Sequence, residues 1–237
     1  MQKLRNKMKI VIISDTHNQH EKLTIPKGDM IIHCGDVSGR GWYEEVRQFC
    51  NWFGELDFKY KIMIAGNHDF FFEGNLSTVK GTRSYYSQAE EKNEFEKKKA
   101  LLFQSDIIYL ENSGIEIEGI KIWGSPYTPR FFNWAFLKDR GGDIANVWKL
   151  IPNNLDILIT HGPPVDILDL CQNGHVGCCD LKETIINTKP KYHIFGHIHE
   201  GYGIHKTKNT TYINASVLDG YYNCVNEPIV IEINSKL

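Results

Sequence analysis

No charge of one sign dominates this chain: 27 Lys and Arg stand against 29 Asp and Glu, a net of -2 at neutral pH. It therefore has no whole-molecule field to draw in nucleic acid or an anionic membrane, and neither is expected as a partner. Long apolar runs are lacking as well. The start, Met1-Gln2-Lys3-Leu4-Arg5-Asn6-Lys7, is basic like the head of a secretion signal, but the apolar stretch after it runs only from Met8 to Ile13. That is too short for a signal core or a membrane span. The six cysteines form no Cys-x-x-Cys pair, and Cys171, Cys178 and Cys179 match no common zinc spacing. A chain of 237 residues buries enough core to need no disulfide staples. A cytoplasmic protein with reduced thiols and a short leading arm is the expectation. Met8, where the first strand begins, is an alternative start. No repeat, low-complexity tract or linker divides the chain, so one domain over residues 1–237 is expected.

What is present is a set of short apolar runs that each stop on a polar residue. Met30-Ile31-Ile32-His33-Cys34-Gly35 ends on Asp36. Lys9 to Ser14 stops at Asp15-Thr16-His17, and Lys61 to Ala65 at Gly66-Asn67-His68-Asp69. Asp156 to Thr160 stops at His161, Tyr192 to Phe195 at Gly196-His197-Ile198-His199, and Thr210 to Ile213 at Asn214. Each run has the length and the Ile/Val content of a buried strand. Open α/β sheets place their ligand sites in the loops at such strand ends.

Between the second and third runs, Val46, Phe49, Cys50, Phe53 and Leu56 fall at helical spacing, which predicts an amphipathic crossover helix over residues 43–57 and a parallel pair. Ser87-Gln88-Ala89-Glu90 reads as a capping box opening a highly charged helix. Short β segments at Ile107 to Leu110, Ile115 to Glu118 and Ile120 to Trp123 read as antiparallel hairpins, so the sheet is mixed. A long loop from Pro126 to Phe136 carries Phe131, Phe132 and Trp134. Its aromatics read as packing, unless a rim position beside the site makes them a platform for a nucleobase. His33 and His193, inside strands, read as hydrogen-bonded core residues, and His20 and His205 as surface residues.

Asp15, His17, Asp36, Asn67, His68, Asp69, His161, His197 and His199 are too many groups for one ion. Imidazole and carboxylate without thiolate suit Mn, Fe, Zn, Co or Ni. Two such ions ~3.5–4 Å apart could share one carboxylate. They would carry four positive charges against the two of Asp15 and Asp36. The surplus binds an anion such as phosphate and acidifies a bound water into a hydroxide nucleophile near neutral pH. Hydrolysis of a phosphate ester follows.

In their order these residues resemble the calcineurin-like metallophosphoesterases, through Asp15-Thr16-His17, Gly35-Asp36, Gly66-Asn67-His68-Asp69, Thr160-His161-Gly162 and Gly196-His197-Ile198-His199. The resemblance implies an α/β fold, a four-layer αββα sandwich of two mixed β-sheets with helices outside. It implies one ion, Mn or Fe by preference, held by Asp15, His17 and His199, a second by Asn67, His161 and His197, and Asp36 between them. His68 becomes the residue that protonates the leaving oxygen or stabilises phosphoryl charge. Gly124-Ser125-Pro126-Tyr127-Thr128-Pro129, His161-Gly162-Pro163-Pro164 and His199-Glu200-Gly201-Tyr202-Gly203 are similar to one subgroup, the metallophosphoesterase-domain-containing proteins, which look like class III cyclic nucleotide phosphodiesterases. The expected substrate is a small phosphodiester, a cyclic nucleotide among the candidates. Where the superfamily's protein phosphatases carry an acidic residue that supports the catalytic histidine, this chain has Gly39. That counts against a phosphoprotein substrate.

Three residues carry open alternatives. Asp69 is a turn residue or a partner orienting a histidine. Arg40 is a phosphate clamp or a solvated loop residue. His175, in Asn173-Gly174-His175-Val176-Gly177, is a loop residue or a substrate contact. The rival functions are a phosphomonoesterase or nuclease on the same fold, and a non-catalytic scaffold.

Overall fold

The computed structural model describes residues 7–74, 88–103 and 106–235. The first half runs β1 (Lys7–Ile13), β2 (Met30–His33), α1 (Tyr43–Glu55), β3 (Tyr60–Met63), α2 (Gln88–Leu102) and β4 (Ile107–Tyr109). Next come β5 (Ser113–Ile117), β6 (Ile120–Ser125), the two-residue pair β7 (Thr128–Pro129) and β8 (Leu137–Lys138), α3 (Gly142–Trp148) and β9 (Ile157–Thr160). The last third holds β10 (Leu170–Cys171), β11 (Gly174–His175), α4 (Cys179–Thr188), β12 (Tyr192–Phe195), β13 (Gly203–Lys206), β14 (Thr211–Asn214) and β15 (Ile229–Asn234). The capping box proposed at Ser87 lies outside the described residues. Among them, no helix is long and apolar enough to cross a membrane.

Two mixed sheets result, ordered β15-β1-β2-β3-β4 and β13-β14-β12-β9-β6-β5. In the first, β1 to β4 are parallel and β15 is antiparallel to β1. In the second, β14, β12, β9 and β6 are parallel between antiparallel edge strands. The central runs are mostly apolar because both their faces are covered. Ile10, Ile12, Ile32 and Ile62 meet Ile122, Ile157, Ile159 and Ile194 between the sheets. On the outer face of the first sheet, Val11, Ile13 and Ile31 pack against Val46, Phe49 and Phe53 of α1. Leu158, Phe195 and Tyr212 of the second sheet pack against Ile144 and Trp148 of α3 and Leu181 and Ile185 of α4. The layers are therefore αββα. Helix α1 follows from its apolar stripe, and Glu45 secures its start by accepting from the backbone N–H of Arg40 (3.0 Å) and Trp42 (3.2 Å).

One strand pairing departs from expectation. β5 and β6 form an antiparallel hairpin, but β4 lies parallel to β3 in the other sheet, with Lys61 opposite Ile107. The charged helix α2 is the crossover that makes this possible, and three short β segments in a row do not reveal where the chain changes sheets.

The core histidines behave as their positions imply, with one correction. His33 and His193 are fully buried and reach Thr16 Oγ1 (3.1 Å) and Thr160 Oγ1 (2.7 Å) through Nε2. His205 is exposed. His20, however, is buried, its ring 4.9 Å from that of Trp52 and 5.5 Å from that of Phe49, because the turn carrying it folds back on α1. Burial drives His33 and His193 down to about 3. The unfolded chain binds these protons near pH ~6.5 while the fold refuses them, so their contribution is present above ~6.5 and lost as pH falls through the window towards 3. Stability should drop by about 1.4 kcal/mol per pH unit for each histidine on this account. Urea denaturation between pH 6 and 4.5, in chelator, checks it. His193→Gln should make the slope shallower by about that amount, and an unchanged slope would show that the ring is not held neutral in the core.

Candidate metal centre

The polar residues that follow the parallel strands meet at one edge of the sandwich. β1 leads to Asp15 and His17, β2 to Asp36, β3 to Asn67 and His68, β9 to His161, and β12 to His197 and His199. Asp15 (φ 56°), His17 (39°), Asp36 (57°) and His197 (70°) all lie in the left-handed region. For non-glycine residues such backbone costs about 1 kcal/mol or more each, and it persists where surroundings over-determine it. Here the Asp15 N–H donates to the Gly35 carbonyl (3.0 Å) and the His17 N–H to the Asp36 carbonyl (3.1 Å), binding the first two loops together.

The side chains form overlapping groups around one oxygen. Ligand atoms of Asp15, His17 and His199 lie within 4.8 Å of one another, as do those of Asp36, His161 and His197 and those of His17, Asp36 and His68. Asp36 Oδ2 is 3.5 Å from His17 Nε2 and 3.3 Å from His161 Nε2, one from each of the first two groups. Its other oxygen, Oδ1, accepts the His68 N–H at 2.8 Å. Asn67 Oδ1 completes the second group, 2.9 Å from His161 Nε2.

The ring nitrogens facing outward set the tautomers. His17 Nδ1 reaches the Ser38 carbonyl (3.1 Å), His161 Nδ1 that of Cys34 (2.9 Å) and His199 Nδ1 that of Asp219 (3.1 Å). A carbonyl only accepts, so each Nδ1 donates; a neutral ring such as His17 then turns its Nε2 lone pair inward, the arrangement of histidines that ligate metals, whereas His161 Nε2, facing the Asn67 amide oxygen, must first give up a proton. His17 Nε2 is buried with no hydrogen-bond partner, as befits a lone pair meant for a cation. Burial lowers His17 to about 4 and His197 to about 3. Burial alone would raise Asp15 and Asp36, but His199 beside the first and His161 beside the second outweigh it and hold both below the usual carboxylate range. His161 is itself pushed up to about 9, burial being outweighed by Asp36. Two buried, ionised carboxylates beside the neutral rings of His17 and His197, with a proton on His161 that a cation would displace, are a donor set that fits divalent cations.

The glycines of the motifs are there for room. A Cβ on Gly66 would collide with Asp36 Oδ1, and one on Gly196 with Asp15 Oδ2 and Ser14 Oγ. The smallest residue precedes Asn67 and His197 because a carboxylate of the opposite loop occupies its side-chain space.

Of the two readings of Asp69 the turn residue fits, since its carboxylate contacts backbone and Ser38 and meets no histidine among the described residues. The fully buried carboxylate accepts from the N–H groups of Gly66 (2.8 Å), Ser38 (3.0 Å) and Val37 (3.2 Å) and from Ser38 Oγ (2.6 Å), tying the loop after Asp36 to the turn after β3. Burial and the nearby Asp36 raise it to about 6. His68 Nδ1 instead donates to the Gly39 carbonyl at 2.8 Å, so backbone serves where the related phosphatases use an acid.

A cavity of about 490 Å³ opens over Asp36, Asn67, His68, His197 and His199. Neither Arg40 nor His175 lines it. The Arg40 guanidinium lies over Trp42, 5.5 Å from the ring centre. His175 Nδ1 pairs with buried Asp169 at 2.7 Å, and Asp169 also receives the Gly177 N–H (2.9 Å). The pair thus shapes the loop whose Asn173, Val176 and Gly177 form one wall. Arg140, also on the wall, grips the carbonyls of Gly177 and Val176 at 2.9 and 2.8 Å. Phe131, Phe132, Trp134 and Tyr222 line the cavity too. Tyr222, at φ 63°, presents its ring to His199 (4.8 Å) and His17 (5.2 Å). It belongs to no spaced motif, whereas Phe131, Phe132 and Trp134 occupy the position beside the site that is the condition for their reading as a platform.

Metallophosphoesterase domain-containing protein 1 of Homo sapiens is 40% identical over 233 residues, which cover 95% of this chain and 71% of that protein. A UPF0046 protein of Caenorhabditis elegans is 36% identical over 237 residues, 97% of this chain and 76% of the relative. The crystal structure of TT1561 from Thermus thermophilus is alike in fold, with a TM-score of 0.58 at 10% identity over 98% of this chain and 100% of that one. Residues 8–201 match the calcineurin-like phosphoesterases, and the chain belongs to that family, whose members typically bind two divalent metals.

Proposed function

We propose that the protein is a dinuclear metal-dependent phosphodiesterase acting on a small substrate, with a cyclic nucleotide as the leading candidate. The observation that carries this is Asp36 Oδ2, placed between two ligand groups at the floor of the cavity. Asp15, His17 and His199 would hold one ion and Asn67, His161 and His197 the other, with Asp36 shared. When bound, such ions neutralise charge on phosphoryl oxygens and activate water at neutral pH; Mn and Fe are favoured among Mn, Fe, Zn, Co and Ni. A cytoplasmic setting is part of the proposal and rests on the cysteine usage.

The chain's own residues do the rest. His68 Nδ1 is occupied by the Gly39 carbonyl, so Nε2 is the nitrogen left to give a proton to the leaving oxygen. Asp69 keeps the loops of Asp36 and His68 in register. The cavity volume suits a nucleotide-sized ligand rather than a protein loop. Phe132, 85% exposed, and Phe131, its ring 5.1 Å from that of His197, line it and offer a flat base a stacking face.

The test is a panel of monoesters and diesters with a common leaving group, cyclic nucleotides included, on protein reconstituted with each of the five metals. Diesters should turn over faster. A monoester preference would overturn the diesterase reading. His68→Ala should keep its metals and lose about 10²–10⁴-fold in kcat, the usual worth of a general acid. Undiminished turnover would remove His68 from that role.

A further inference from the structure

We propose that Trp134 is a positioning residue for His68, an inference that rests on the role of His68 proposed above. The indole and imidazole are stacked, with ring centres 4.1 Å apart and planes 25° from parallel, the shortest ring-to-ring separation among the described residues. A hydrogen bond at Nδ1 fixes one point of an imidazole but leaves the ring free to tilt about it. The indole face takes that freedom away. On another side the ring of His17 meets His68 edge-on at 4.6 Å, so the imidazole is held by one in-plane bond, one face and one edge.

The loop that carries Trp134 is pinned to the turn that carries His68. The N–H of Ala135, the next residue, donates to the carbonyl of Asn67, the residue before His68, at 3.0 Å. Thr128 N–H bonds the Phe136 carbonyl (3.0 Å) and Phe136 N–H bonds Glu73 Oε1 (2.9 Å), while Ala135 and Phe136 are buried. Phe70 supports the indole from behind at 5.9 Å. The two rings are therefore set by one framework.

Trp134 also lines the cavity, so stacking on the substrate is the competing role. A double-mutant cycle separates them. Trp134→Leu should lower kcat about tenfold or more with little change in KM, as expected when the reacting group is misplaced while substrate binding is kept. Trp134→Phe should restore most of the loss. In a His68→Ala background Trp134→Leu should have no further effect. Proton NMR of the zinc-loaded protein gives a readout that needs no turnover: the His68 ring protons, assigned by their disappearance in His68→Ala, should move downfield when the indole is removed. A raised KM and a Trp134→Leu loss that persists without His68 would overturn the proposal in favour of substrate stacking, and unmoved ring protons would overturn it outright. If His68→Ala itself is fully active, the acid role fails, while the NMR shift still decides whether the indole stacks on the His68 ring in solution.

Discussion

Asp36→Asn should give a folded protein that retains fewer than two divalent ions after reconstitution and has lost nearly all phosphoesterase turnover. Asparagine is the informative change because it nearly preserves shape. Its carbonyl oxygen can still accept the His68 N–H that Asp36 Oδ1 receives at 2.8 Å. The amide nitrogen then falls where Oδ2 stands, 3.5 Å from His17 Nε2 and 3.3 Å from His161 Nε2, and a nitrogen bearing two hydrogens ligates nothing. Loss of a mere outer partner of a ligand already costs ~10–100-fold in metal affinity, so loss of the shared ligand should cost more. Within the chain the change also removes the anion that holds His161 near 9, and that ring returns to neutrality, so no buried charge is stranded. Metal analysis by mass spectrometry, with circular dichroism as the folding check, decides the matter. Two ions and full turnover in Asp36→Asn would show that this carboxylate is not the shared ligand.

The strands and most of the site were legible because burial and chemistry leave simple marks on a chain. A strand covered on both faces is mostly apolar, and a polar side chain that it delivers to the sheet edge stands just past its end, so the candidate ligands Asp15, Asp36, Asn67, His161 and His197 could be found by position. What decides side-chain partners is long-range and leaves no such mark. His20 is buried only because a turn folds onto Phe49 and Trp52. Asp69 braces backbone that comes into reach only when the second and third strand ends pack side by side. β4 leaves its neighbours for the other sheet because α2 carries it there. Trp134 and Tyr222 reach the site from loops 66 and 154 residues beyond His68, by numbering, with no spacing rule to announce them.

The glycines show how a motif can be explained without reference to relatives, and they carry the second large prediction. Gly196→Ala should unseat Asp15, because a methyl group there meets Asp15 Oδ2 and Ser14 Oγ and lies 2.6 Å from Ser14 Cβ. Relief is blocked on both sides. Asp15 is fully buried and both its oxygens accept the His197 N–H at 3.0 Å, while Ser14 is locked in a bridge to Ser216. The backbone must shift, at about 1–3 kcal/mol for overpacking of this kind, and the Asp15, His17 and His199 group opens. Gly142→Ala is the control of opposite sign: a Cβ there meets nothing within 4 Å, and at the first residue of α3 alanine should be neutral or stabilising by a few tenths to about 1 kcal/mol. The urea midpoint of metal-free Gly196→Ala should therefore fall below the parent's, and that of Gly142→Ala should lie at or above it. The first should also bind an ion less once reconstituted, and Gly66→Ala, which strikes Asp36 Oδ1 instead, should disturb both groups. Equal midpoints and equal metal content in Gly196→Ala and Gly142→Ala would show that the space beside Asp15 is not what keeps residue 196 a glycine.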